Sequence, residues 1–163
     1  MSDAIAIVGW KNSGKTTLVC RLVEALSARG HRVATLKHAH HAATMDVPGT
    51  DSARHRAAGA TATMLLTDAG WSMSSAEPLG LDAALARLPA HDVAIVEGFK
   101  GSALRKIECR RAGADGPPLW PQDERIIAIA HDGCVTDTKR PTFDLDAIDA
   151  IADFIEAQTG TRP

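Results

Sequence analysis

Lys15 and Thr16 close the run Gly9-Trp10-Lys11-Asn12-Ser13-Gly14-Lys15-Thr16, whose spacing, G-x-x-x-x-G-K-[ST], is that of a phosphate-binding loop. The chemistry needs these residue types in this order. Gly9 and Gly14 carry no Cβ, so the backbone can curl and turn its N–H groups inward. The backbone of Lys11, Asn12, Ser13 and Gly14, with Lys15, Thr16 and Thr17 in the first turn of the following helix, then forms a concave anion site at the positive end of a helix dipole. Lys15 adds a mobile charge for the β- and γ-phosphates, and Thr16 offers a hydroxyl to Mg²⁺.

A carboxylate is the other half of such a site. Val93-Ala94-Ile95-Val96 ends in Glu97-Gly98. This is the Walker B arrangement, in which the acid lands beside the phosphate loop and holds Mg²⁺ or orients the attacking water. Lys15 and Glu97 are therefore the candidate catalytic pair, and Thr16 and Glu97 the candidate metal ligands. Asp92 opens the same strand and belongs at the opposite edge. Asp46, in the loop after the second strand, reads either as a further ligand for Mg²⁺ or water, or as a plain loop aspartate.

Other side chains admit two readings each. Lys11 is a solvated lysine near phosphate or one that reaches a partner's nucleotide across a dimer; Trp10, standing between it and Gly9, favours the first. His38, His40 and His41 are metal ligands or hydrogen-bond donors beside phosphate. The absence of an i, i+4 spacing and of a nearby cysteine favours the second. Arg105, Arg110 and Arg111 suit an anionic ligand or acidic partner, or a charged edge strand that resists aggregation. Trp10 shields a nucleotide or simply packs, and Trp71 and Trp120 read as core or interface.

The elements that must position these groups follow from periodicity. Residues 4–8 are apolar and β-branched, a buried strand; residues 16–29 carry Leu18, Leu22, Ala25 and Leu26 on one helical face and end at Gly30. Residues 32–37 make a second strand, expected to pair in parallel with the first. Ligand chemistry then gathers beyond the carboxyl ends of the strands. After a long loop, Thr50 caps a helix that runs to Gly59. Strands are expected at 61–66 and 70–73, a helix at 78–88, strands at 93–96, 105–111 and 125–130, and a closing helix at 145–157 with Ile148, Ile151, Ala152 and Ile155 on one face. The 105–111 strand reads as having an exposed, charged side. The whole is expected to be one α/β domain over 1–163, a mainly parallel twisted sheet with helices on both faces. Residues 105–123 form its extension toward a dimer mate or partner.

Composition narrows the classes. The chain has 163 residues, 45% hydrophobic and 23% charged, which is ordinary for a globular domain. A formal net charge of −2 gives no electrostatic case for nucleic acid. No apolar run is long enough to span a bilayer, and no signal-peptide pattern stands at the N-terminus. Three scattered cysteines, Cys20, Cys109 and Cys134, point to a reducing compartment, the cytoplasm.

Several blocks together resemble one family. They are Lys11-Asn12-Ser13-Gly14-Lys15-Thr16-Thr17-Leu18, Lys37-His38-x-His40-His41, Asp46-x-Pro48-Gly49-x-Asp51-Ser52, Arg54-His55-Arg56-x-Ala58-Gly59-Ala60, Val96-Glu97-Gly98-Phe99-Lys100 and Lys106-Ile107-Glu108. They look like the MobB family of molybdopterin-guanine dinucleotide biosynthesis adapter proteins, over most of the chain up to about Glu108. Ala128-Ile129-Ala130-x-Asp132 is a weaker echo. The resemblance implies a P-loop fold and binding of GTP with Mg²⁺. It also implies slow hydrolysis, a homodimer, and a partner in the guanylyltransferase that joins GMP to molybdopterin, with molybdopterin itself close by. Two departures stand out. Thr50 replaces a lysine that the family usually shows, and the guanine-reading Asn-Lys-x-Asp motif is absent; Thr138-Lys139-Arg140-Pro141-Thr142 lacks its aspartate. Asp132 is then the best remaining carboxylate for the guanine N1–H and N2–H. No arginine is evident in cis to speed hydrolysis. Two other classes share the loop. A small-molecule kinase needs lid arginines, for which Arg54 and Arg56 are the candidates. A nickel-insertion GTPase needs tight metal binding by His38, His40 and His41.

Overall fold

A computed structural model describes residues 3–39, 47–114, 116–133, 135 and 138–161. In chain order the elements are β1 (Ala4–Val8), α1 (Lys15–Ala28), β2 (Val33–Lys37), α2 (Asp51–Ala57), β3 (Ala62–Thr67), β4 (Gly70–Ser75), α3 (Leu81–Leu85), β5 (Val93–Glu97), β6 (Lys106–Arg110), β7 (Ile126–His131), β8 (Thr142–Asp144) and α4 (Ile148–Thr159). The chain divides into two compact units, Met1–His38 with Leu85–Pro163, and Ala39–Ala84.

In the larger unit six strands form one sheet in the order β2-β5-β1-β6-β7-β8, with every neighbouring pair parallel. The apolar pattern decides that order. β1 and β5 are buried along their whole length, which only an interior strand covered on both faces tolerates. β2 is half-exposed and takes the edge. β5 therefore inserts between β1 and β2, and the two strands expected to pair directly are one strand apart. The consequence for chemistry is that Glu97, in register with Ile7, ends beside the strand that leads into the phosphate loop.

One face carries Ile5, Ile7, Val93, Ile95, Ile107, Cys109, Ala128 and Ala130, packed with Leu18, Leu22 and Leu26 of α1 and Ile151, Ala152 and Ile155 of α4. The two helices also pack on each other. Each fully buried Leu or Ile contributes about 1.5–3 kcal/mol. Over β6 the opposite face is closed by loop segments, which bring polar partners to the buried Lys106 and Glu108.

β6 corrects an expectation. It is not a charged edge strand but lies between β1 and β7, and Lys106 and Glu108 are only 1% and 0% exposed. Buried charge survives there because each is paired. The Lys106 ammonium donates to the Ser102 carbonyl at 2.7 Å and the Asp123 carboxylate at 2.9 Å. Glu108 accepts from the backbone N–H groups of Leu119 and Trp120 at 2.9–3.1 Å, and from Arg110 at 3.1 Å. Asp123 is held below its ordinary value against the pull of burial, by Lys106 and the Arg125 N–H.

In the smaller unit α2 packs on β3, and β3 and β4 form an antiparallel hairpin that sets Met64 opposite Met73 and Leu66 opposite Trp71. Thr50 takes the predicted cap: its hydroxyl accepts from Ala53 N–H and donates to the Val47 carbonyl. Arg56 donates to the Ser74 hydroxyl. The helix expected over 78–88 is only the five residues of α3. Pro78 and Gly80 before it and Pro89 after it leave no room for more.

Candidate functional site

The loop between β1 and α1 is built on close approach. Gly9 has φ 152°, and a Cβ there would overlap the Cys109 carbonyl oxygen and the Ser13 hydroxyl. Only glycine lets β1 and β6 meet the loop so closely. Gly14, at φ 89°, turns the chain into α1, whose first-turn N–H groups lack acceptors within the helix. Ser13 is buried, its carbonyl accepting from the Cys109 thiol at 2.9 Å.

Lys15 arches back over the loop, its ammonium donating to the Trp10 carbonyl at 2.6 Å and reaching Ser13 Oγ at 3.4 Å. Burial holds its pKa below the ordinary value, although Cys109 and Glu97 pull it up. A cation partly stripped of water and poised over an anion cradle gains most when phosphate arrives.

The predicted acid and hydroxyl meet. Thr16 Oγ1 donates to Glu97 Oε1 at 2.8 Å. The Lys37 ammonium, from the end of β2, stands 3.1 Å from the same carboxylate oxygen and 3.3 Å from Thr16 Oγ1. Two hard oxygens that already share a cation are a donor set suited to Mg²⁺.

A cavity of about 340 Å³ is lined by Asn12, Ser13, Gly14, Lys15, Thr16, Thr17 and Arg111, within the range of small-ligand sites. Lys11 lies exposed outside that lining. Trp10 packs away on the loop that follows β6: its indole N–H donates to the Pro117 carbonyl at 2.7 Å, its ring lies against Gly116, and the Lys100 ammonium sits 4.0 Å from the ring centroid. Asp132 is turned onto Arg111 at 3.5 Å and accepts from Ala112 N–H. His38 stacks on Phe99 with centroids 4.4 Å apart. His40, His41 and Asp46 lie outside the described residues. Arg54 pairs with Asp51 at 3.4 Å and is well exposed.

Two cations take places that the sequence leaves open. Lys37, at the end of β2, meets Glu97 and Thr16, and Arg111, which the sequence offers either to an anionic ligand or to a charged edge strand, lies one residue past β6 and lines the cavity. Setting β6 beside β1 would have brought Arg111 to the loop.

A glycine cradle between the first strand and helix of a parallel sheet, with an acid at the end of the neighbouring strand, defines an α/β fold of the P-loop kind. The model of the family described as molybdopterin guanine dinucleotide synthesis protein B matches residues 4–132, and the chain belongs to this MobB family. It is similar to the molybdopterin-guanine dinucleotide biosynthesis adapter protein of Escherichia coli, 34% identical over 95% of this chain and 92% of the other. It is similar to that of Haemophilus influenzae, 35% identical over 93% and 86%. Among solved structures, a MobB homolog from Bacillus stearothermophilus superposes with a TM-score of 0.71 at 27% identity, covering 98% of this chain and 99% of its own. The match runs past Glu108 to Asp132, so the segment after β6 is part of the family pattern.

Proposed function

We propose that the chain binds GTP with Mg²⁺ at this loop. We propose also that it serves as an adapter for the guanylyltransferase that joins GMP to molybdopterin, hydrolysing the nucleotide slowly at most. The observation that carries the nucleotide half is the meeting of Thr16 and Glu97 at 2.8 Å beside a cradle that a Cβ at Gly9 would fill. The adapter half rests on the relatives, which are named adapters of molybdopterin-guanine dinucleotide biosynthesis.

Loop N–H groups and Lys15 hold the phosphates. Thr16 and Glu97 would hold the metal. Mg²⁺, when bound, neutralises phosphate charge. Glu97 would also orient an attacking water. The free thiols of Cys20 and Cys109 suit a reducing compartment, the cytoplasm. No helix among the described residues is long and apolar enough to cross a membrane.

A homodimer belongs to the same reading. Its support is the hairpin, where Met64, Leu66, Trp71 and Met73 are each more than half exposed; apolar groups clustered in this way mark interaction surfaces. Light scattering should give twice the chain mass for wild type and a monomer for Leu66→Asp. A wild-type monomer would remove the dimer.

The adapter role is tested by reconstitution. Molybdopterin, GTP and the guanylyltransferase should yield more dinucleotide with the wild-type chain than without it, and Lys15→Ala should add nothing. Equal yields with and without the wild-type chain would reject the role.

A further inference from the structure

We infer that Arg111 is a phosphate ligand of this site and that Asp132 is its positioning residue, taking no part in reading the base. The inference rests on the loop being a polyphosphate site and deepens that reading.

β6 and β7 are parallel neighbours with Arg110 in register with His131. Arg111 and Asp132 are the first residues after the two strands, so the sheet itself delivers them side by side at the carboxyl edge. β6 also neighbours β1, which puts Arg111 over the loop that β1 leads into. Its guanidinium lies 3.6 Å from where a Cβ of Gly14 would stand, and it closes the cavity lined otherwise by Asn12 to Thr17. A planar cation on an anion cradle has one obvious partner, a phosphate oxygen pair that it grips with two N–H groups.

Asp132 is committed elsewhere than to a base. One carboxylate oxygen accepts from Ala112 N–H, which fixes it to the residue after Arg111, and the other faces Arg111 Nε at 3.5 Å. The Arg111 side chain is half exposed and that of Asp132 about a third. A pair so wet contributes little to stability; what it does is orient. With Nε facing Asp132, the Nη2 end of the guanidinium reaches the loop beside Gly14, where phosphate would lie. Both carboxylate oxygens are thus turned to this segment, which suits holding the arginine and not a guanine edge.

The two roles part company on a ligand without a base. Isothermal calorimetry with Mg²⁺ would compare GTP and inorganic tripolyphosphate on wild type, Lys15→Ala, Arg111→Ala, Asp132→Asn and the Arg111→Ala/Asp132→Asn double variant. Asn at 132 keeps an oxygen for Ala112 N–H, so the turn is preserved, and ligand-free melting curves check the fold. Arg111→Ala should weaken both ligands by about tenfold, as loss of a charge-assisted hydrogen bond does. Asp132→Asn should weaken both by one smaller, common factor and add nothing in the Arg111→Ala background. Arg111→Lys should restore only part of the loss. A weakening of GTP alone in Asp132→Asn, or wild-type tripolyphosphate binding by Arg111→Ala, would overturn the inference. Equal binding by Lys15→Ala and wild type would instead reject the phosphate site beneath it.

Discussion

Gly9 and Cys109 share one constraint. The loop backbone passes so close to β6 that residue 9 has no space for a side chain, and the thiol opposite is sealed against the Ser13 carbonyl. Burial pushes the Cys109 thiol up to about 11, although Lys15 and the Ser13 contact pull it down. A thiol reacts as thiolate, so at pH 8 iodoacetamide should label the exposed Cys20 and spare Cys109 until the fold is opened with urea. Since the folded pKa is raised, labelling of native Cys109 should climb only as the pH approaches 11. Equal labelling of both at pH 8 would contradict the burial of the loop. At this scale the sequence was a good guide wherever a residue type is demanded by its own backbone, as at Gly9, Gly14 and Thr50. It left Lys37 without a partner, and Arg111 undecided between an anionic ligand and a charged edge strand. Nothing in a lone basic residue tells which strand end it will face.

β6 is the element the sequence misrepresented. Lys106-Ile107-Glu108-Cys109-Arg110 alternates charge and apolar residue, the pattern of a strand with one wet face. The partners that make the charged face tolerable are Asp123, Leu119 N–H and Trp120 N–H, in a loop 11–17 residues on, and no local pattern announces them. The buried Glu108 carboxylate ties that loop, and with it Trp120, to the sheet. Glu108→Ala should therefore cost about 3 kcal/mol or more, because the buried Trp120 N–H, the half-buried Leu119 N–H and a nearby arginine lose their acceptor. Urea unfolding measures it, and a change within about 0.5 kcal/mol would show that the loop is held by other means. The long elements were legible for the opposite reason. β1, β5, α1 and α4 bury whole apolar faces, and burial is written in their periodicity.

For the whole molecule, strand order turns separate motifs into a site. β5 lies between β1 and β2 and delivers Glu97; β6 lies on the other side of β1 and delivers Cys109 and Arg111; α1 starts from the same edge. The sequence supplied the parallel α/β class and the loop-plus-acid chemistry. The order of strands follows from burial on both faces, which shows only once the faces are assembled. A preference for guanine would be the least local property of all, since no Asn-Lys-x-Asp carries it and Asp132 is engaged with Arg111. The most direct test of the account is calorimetric titration of the Mg²⁺-containing protein with GTP and with ATP, on wild type and Lys15→Ala. The account predicts a clear preference for GTP, with binding lost in Lys15→Ala. Equal or tighter binding of ATP would leave the phosphate loop standing but contradict a guanine-nucleotide adapter, and a Lys15→Ala variant that binds as wild type would contradict the site itself.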